Sequence, residues 1–391
     1  MTDPTIWIWY QLLFGIGTGR AHQMLEYFPD PADILHGIET RGRALSMLSD
    51  AELTSWQPAL RRAGELNRRT LAKGCEVITP DHPSYPPLLQ KIYGKPAALY
   101  VKGDLSCLQG TLAIAMVGTR NYTPYGKDVG DKIATELATC GAVVVSGLAK
   151  GIDTICHTAA IEAGGKSIGI LGCGIDVDYP KGSAQLKRSL VQNGAVLSEY
   201  PLGTEASARN FPMRNRIISG MCEGTLVVEA DMKSGSLLTA VHALQQGRKV
   251  FAVPAAVLPP RELGTHKLIK EGAKLTEDAS DILGEFTKRS YKGLQPQRLT
   301  TPPPNKPAPI GKAQQESIYK QPQAAPPAHK NLPEEIYGPA RDVYALLGAQ
   351  PKTVEQLAAE SPLELAQIQS ALTQLEIYGL IKGYPGRRFS L

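Results

Sequence analysis

Residues 142–153 read Ala-Val-Val-Val-Ser-Gly-Leu-Ala-Lys-Gly-Ile-Asp. An apolar run ends in a glycine loop and opens into a helical pattern. The unit recurs on both sides. Leu112–Val117 ends at Gly118 and precedes a helical pattern over 126–139. After 142–145 comes a helix over Ile152–Ala163, then a strand over Ser167–Leu171 that ends at Gly172. Val196–Ser198 is strand-like, Thr225–Val228 ends in Glu229, and a helix over Ser236–Gln246 leads to a strand over Lys249–Val253. Short, continuously apolar strands alternating with helices predict a parallel sheet covered on both faces. Right-handed crossovers make this an α/β, doubly wound, mostly parallel Rossmann-like domain. Such sheets bind ligands beyond the carboxyl ends of their strands, where Gly118, Ser146, Gly172, Glu199 and Glu229 fall.

At 391 residues the chain is long enough for several domains. Its 42% hydrophobic and 20% charged residues suit a packed core and exclude global disorder. The six cysteines form no CxxC pair, which argues against a zinc ribbon or a thioredoxin-type site. Scattered thiols suit a reducing cytosol. No apolar stretch reaches the ~18–20 residues of a membrane span, and the N-terminus has no basic n-region. The expectation is a cytoplasmic protein without membrane contact.

The net charge of +5 is unevenly placed. Residues 1–110 and 111–287 are each balanced, whereas 288–330 carry eight basic residues and one acidic one. The latter stretch is rich in proline and predicts an extended linker, either a tether or a weak contact for a polyanion. The domains expected are helical over 1–78, a connecting arm over 79–110, the Rossmann-like domain over 111–287, the linker over 288–332 and a winged helix over 333–391. In the first, the Phe14-Gly-Ile-Gly17 turn between two helical runs is similar to a helix-hairpin-helix, and such turns serve phosphate contact or a purely structural helix pair. In the last, helices over Ala340–Leu347, Val354–Glu360 and Leu363–Tyr378 precede two strands around a Tyr384-Pro-Gly386 turn. The third helix has no Lys or Arg, so a protein contact suits it better than a DNA groove. Lys382, Arg387 and Arg388 leave DNA contact open through the wing.

Four loops at the sheet edge carry chemistry. Val117-Gly-Thr-Arg120 delivers an arginine. Ser146 to Asp153 brings glycines 147 and 151, whose backbone can approach an anion, and the full charge of Lys150. It lacks the Walker pattern, and Gly172-Cys-Gly174 does not extend to a dinucleotide fingerprint. Asn210-Phe-Pro-Met-Arg-Asn-Arg-Ile217 sets Arg214, Asn215 and Arg216 beside Phe211. Guanidiniums suit phosphates and rings suit bases, while pairing with Glu199, Glu205 or Glu229 is the structural alternative. Finally, Ser234, Gly235 and Ser236 open a helix, as an anion site or as simple caps.

Seven segments carry a resemblance: VGTRNYTPYG, SGLAKGIDTICH, ILGCGIDVDYP, SEYPLGT, NFPMRNRIISG, VVEADMKSGSLLTA and GRKVFAVP, in order through 116–254. Together they resemble the DNA processing protein A family (DprA, also called Smf). The resemblance implies a homodimer that binds single-stranded DNA, protects incoming DNA in natural transformation and helps load the RecA recombinase, with no enzymatic activity, metal or cofactor. It places phosphate contacts at Arg120, at the Ser146, Gly147 and Gly151 loop, at Lys181 after Tyr179-Pro180, and at Arg214, Asn215 and Arg216 with Phe211. The sequence departs from the family's usual pattern at Lys150, where arginine is frequent, at Ala255, where glycine is usual, and at His266, where asparagine is common. His157 reads as a packing histidine. The alternative is a nucleotide-processing enzyme of the phosphoribohydrolase type, with Glu229 as general acid, although that class's PGGxGTxxE pattern is absent over 224–240.

Overall fold

A computed structural model of the chain describes residues 1–40, 46–256, 263–299, 336, 338–348, 350–384 and 388–391. Most of the expected linker, Arg387 and the wing turn lie outside them.

Four described helices build the N-terminal part: α1 (Pro4–Phe14), α2 (Gly19–Tyr27), α3 (Pro31–Glu39) and α4 (Asp50–Ala72). Each start is written in the sequence. The side chains of Asp3, Thr18 and Asp30 accept from backbone amides as N-caps, and Ser49 forms a capping box with Glu52. Their apolar faces meet Val77, Ala98, Tyr100 and Leu202 in one cluster, so they pack directly onto the sheet domain.

That sheet contains β1 (Glu76–Ile78), β2 (Leu99–Gly103), β3 (Ala113–Val117), β4 (Val143–Ser146), β5 (Ser167–Leu171), β6 (Gly194–Ser198), β7 (Gly224–Val227), β8 (Lys249–Ala252) and β9 (Lys274–Leu275). Among the described residues their order is β1-β2-β6-β5-β4-β3-β7-β8-β9. Strands β3 to β9 pair in parallel, and β1 and β2 add an antiparallel edge beyond β6. The 79–110 segment, expected as a connecting arm, therefore donates a strand to the sheet. Alternate residues serve opposite faces: Ala113, Ala115 and Val117 enter one core cluster, Ile114 and Met116 the other. Burial on both faces is why these strands read as unbroken apolar runs.

The covering helices include α5 (Pro124–Thr139), α6 (Ile152–Glu162), α7 (Ala184–Gln192), α8 (Asn210–Gly220), α9 (Ser236–Gln245) and α10 (Leu263–Lys270). The 210–217 segment, expected as a loop, is the start of α8 despite Pro212. Proline is tolerated in a first turn, where its missing N–H has no intrahelical partner anyway. The strand order reverses around β3, with β4 on one side and β7 on the other, which opens a crevice at their carboxyl ends. After α11 (Ala279–Leu283), Tyr291, Leu294 and Leu299 still pack on the core, and Gln295 N–H donates to Cys140 O at 2.8 Å. The chain thus stays on the sheet domain well past residue 288.

The C-terminal part has α12 (Pro339–Leu346), α13 (Val354–Glu360) and α14 (Leu365–Ile377). Its small antiparallel sheet has β10 (Lys352–Thr353), β11 (Lys382–Tyr384) and β12 (Arg388–Ser390) in the order β10-β12-β11. This is the expected winged helix, with Thr353 capping α13. No helix among the described residues is long and apolar enough to cross a membrane.

Two histidines are sealed in the sheet domain. His157 Nδ1 lies 2.8 Å from Ser167 Oγ, whose proton goes to Val144 O, so Nδ1 is assigned as the donor. Burial pushes His157 down to about 3 and His242 to about 4. The unfolded chain binds these protons below about pH 6.5 while the fold excludes them, so stability falls as pH drops from 6.5 towards 4. At pH 5 the expected loss is about 2 kcal/mol per histidine. Urea midpoints at pH 7 and pH 5 check this: a His157→Asn, His242→Gln variant should lose that part of the slope.

Candidate nucleic-acid interface

The crevice at the reversal point is a cleft of about 540 Å³. Val117 to Arg120 come to it from the end of β3. Ala149 comes from the loop after β4 and Asp153 from the start of α6, while Asp231, Lys233, Ser234 and Gly235 come from the stretch between β7 and α9, and Ser236 opens α9. Phe211, Pro212, Arg214 and Asn215 reach it from α8, and Tyr179 from the loop after β5. Segments distant in the chain meet here because parallel strands deliver all their carboxyl ends to one edge.

Phe211 is the hub. The Arg120 guanidinium lies over its ring at 5.4 Å, Arg214 at 5.9 Å and the Tyr179 ring at 5.2 Å. Arg120 is exposed, so its charge faces the cleft mouth. Arg214 is only 4% exposed. It donates through Nη1 to Gly147 O at 2.6 Å and to Ile170 O, and through Nε to Asn215 Oδ1 at 3.2 Å. Asn215 Nδ2 in turn donates to Gly235 O at 3.3 Å, tying α8 to the Ser-Gly-Ser segment. There Ser234 and Ser236 hydroxyls bond each other at 2.7 Å.

The glycine loop works differently from its sequence reading. Asp153, buried in the first turn of α6, accepts from Gly147 N at 3.1 Å and Ala149 N at 3.3 Å. The chain's own carboxylate thus takes the Gly147 amide, one of those expected to cradle a phosphate, together with that of Ala149. It also sits opposite the Arg214 charge: burial raises its carboxyl above the ordinary range, and Arg214 opposes that rise. Gly147 is needed because a Cβ there would stand 2.6 Å from the Arg214 guanidinium. Gly151 has φ +99°, and a Cβ there would meet Thr119 O at 2.4 Å. The loop is shaped to seat an arginine and the β3 end.

Other expected residues fall elsewhere. Ser146 is buried and its Oγ donates to Met116 O at 2.5 Å, a tie between strands. Lys150 and Lys181 are exposed and close in sequence to the lining residues Ala149 and Tyr179, without lining the cleft themselves. Arg216 is corrected outright. It is 1% exposed, and Nη2 donates to both oxygens of Glu199 at 2.6 Å. That pair lies beneath the N-terminal helices, where Arg216 Nη2 is 2.7 Å from the point at which a Gly17 side chain would begin. The structural alternative for this arginine prevails, because helical spacing turns residues 214 and 216 to different sides of α8. Sequence reasoning missed Asp153, Tyr179 and Lys233. Asp153 carried a signal, an acid in the first turn of a helix directly after a glycine loop. The departures Ala255 and His266 touch each other: His266 Nε2 is 3.1 Å from Ala255 N and 2.9 Å from Ala255 O.

The family profile described as DNA recombination-mediator protein A matches residues 76–287, over half of the chain. The chain belongs to this family. A second profile, the DprA winged helix domain, matches residues 321–387. Among relatives, DNA processing protein DprA of Bacillus subtilis is 41% identical over 257 residues, 66% of this chain and 86% of that one. Protein Smf of Escherichia coli is 37% identical over 311 residues, 79% of this chain and 76% of that one. The solved DprA structure from Streptococcus pneumoniae superposes with a TM-score of 0.55 at 36% identity, covering 64% of this chain and 92% of that one. The family's central unit begins at residue 76, where β1 joins the sheet.

Proposed function

We propose that the chain binds single-stranded DNA in the cleft at the carboxyl edge of the sheet and acts as a recombination mediator that hands the strand to the RecA recombinase. Natural transformation and DNA uptake are the setting this reading implies, with a homodimer in the cytoplasm as the working form. One observation carries it: Arg120, Phe211 and Tyr179 are stacked together at the cleft mouth. A guanidinium suits a phosphate and an aromatic face suits any unstacked base. A duplex hides its base faces, so the site favours single strands.

A binding rather than an enzymatic role is supported by Glu229, the carboxylate a phosphoribohydrolase-type reaction would call on. It is buried, and its oxygens accept from Thr123 N at 3.1 and 3.0 Å at the start of α5. A carboxylate held as a loop anchor is poorly placed to give a proton to a leaving base. Release of free base from nucleoside monophosphates would overturn this.

Electrophoretic shifts with single- and double-stranded oligonucleotides across salt test the proposal. With few exposed cations at the cleft, ~3–5 phosphates are neutralised and the log–log salt slope is roughly −2 to −4. Arg120→Ala should weaken single-strand binding by ~1–3 kcal/mol and leave the melting temperature unchanged, since this side chain is exposed. Unaltered affinity in that variant would remove the cleft as the site. A chain truncated after residue 299 should retain the binding.

A further inference from the structure

The winged helix is seated on the sheet domain through the face of its third helix that a free winged helix would show to water. Its own core takes Ile368, Ala371, Leu372 and Leu375 from α14. Ser370 and Gln374, one turn apart, lie off that stripe, yet both are buried, at 1% and 3% exposure. What covers them is α9. Ser370 Oγ donates to Val241 O at 3.2 Å, and Gln245 Nε2 donates to Gln374 Oε1 at 2.8 Å. Beside them Lys267 of α10 pairs with Glu376 of α14, with Glu271 close to the same amine.

The sheet domain offers a face for such a cover. In α9 every residue from Ser236 to Ala243 is buried. Leu237, Ala240 and Ala243 face the sheet core. The remaining sides are mixed: Leu238 and Thr239 turn to the cleft, whereas Val241 and Leu244 lie beside the winged helix, Val241 through its carbonyl and Leu244 next to Leu372. The joint is nevertheless made to open. Its polar bonds are few, its ion pair is partly exposed, and a cavity of about 260 Å³ lined by Leu244, Leu372 and Phe389 remains beside it.

We propose that α14 is the intrachain cover of the α9–α10 face, a releasable contact that keeps the winged helix's third helix away from DNA and the sheet domain's apolar face away from other proteins. This role is independent of what the cleft binds. The occupant is the chain's own winged helix, because α14 carries Glu376 against Lys267 and has no cation of its own.

Deuterium exchange on the full chain tests this, read in peptides covering 237–245 and 366–376. Ser370→Arg places a large cation on the joint but outside the winged-helix core. It should speed exchange about tenfold in both segments together and raise the radius of gyration. Lys267→Glu should act in the same direction, and Lys267→Glu with Glu376→Lys should restore both readings to wild-type values. The second pair guards against a folding defect in the first variant. Exchange unchanged in 237–245, or no restoration by the double reversal, would overturn the proposal. So would scattering in which Ser370→Arg dissociates a dimer, since that would seat the winged helix on a second copy.

Discussion

Replacing Arg216 by alanine is expected to destabilise the protein by ~3–5 kcal/mol, enough to unfold much of it at 37 °C. The residue is one half of a pair with Glu199, both about fully buried. Burial raises the Glu199 carboxyl and the Arg216 charge holds it down. Without the guanidinium, the carboxylate must either stay charged away from water or take up a proton. The damage spreads because three parts meet there. Glu199 directly follows β6, Arg216 stands on α8, and Gln11 of α1 donates to Glu199 O at 3.0 Å. Urea denaturation read by tryptophan fluorescence checks it, since Trp7 and Trp9 lie in the helical cluster packed beside this joint. Arg216→Met with Glu199→Leu should recover most of the loss, because a buried pair replaced by apolar groups of similar volume is often neutral or better. A mild effect of the single change, below about 1 kcal/mol, would mean that the pair is hydrated.

The second large effect is expected at Asp153. Asp153→Ala removes the buried carboxylate whose charge faces Arg214 and strips the acceptor from the amides of Gly147 and Ala149. The expected cost is again ~3–5 kcal/mol, accompanied by loss of single-strand binding as the loop and Arg214 shift under Phe211. Asp153→Asn keeps the shape. Its carbonyl can still accept one amide, but its NH₂ brings a donor to a site of donors, so an intermediate loss of ~1–3 kcal/mol is expected. Thermal melts together with shift assays separate the two consequences. Arg120→Ala should lose binding alone, whereas the Asp153 variants should lose stability and binding together. Binding by folded Asp153→Ala at wild-type affinity would show that Arg214 needs no positioning.

Much of the framework was legible because local chemistry repeats with clear periods. Unbroken apolar runs at 113–117, 143–146 and 167–171 announced strands buried on both faces, and Thr353 announced the helix that starts at 354. The candidate site was legible as a group of loops, since each of Arg120, Phe211, Arg214 and Ser234 follows a strand end or opens a helix. The strand at 99–103 was hidden, because an edge strand paired antiparallel takes its place from a distant partner rather than from its own pattern. Asn210–Ile217 was hidden for the opposite reason: its proline resembles a loop signal but sits where a helix tolerates it.

From its sequence alone this protein has a wound sheet, two flanking helical modules and a set of cations and rings at one edge. Side-chain period and turn chemistry act over a few residues and suffice for that. Which of those cations meets solvent was decided by packing. Arg214 and Arg216 are two positions apart and chemically identical, yet one is seated on a glycine loop under Phe211 and the other is locked to Glu199 beneath another domain. Charge in a buried place is governed by the counter-charge the fold sets opposite it, and those counter-charges come from other elements: Asp153 from the first turn of α6 and Glu199 from just beyond β6.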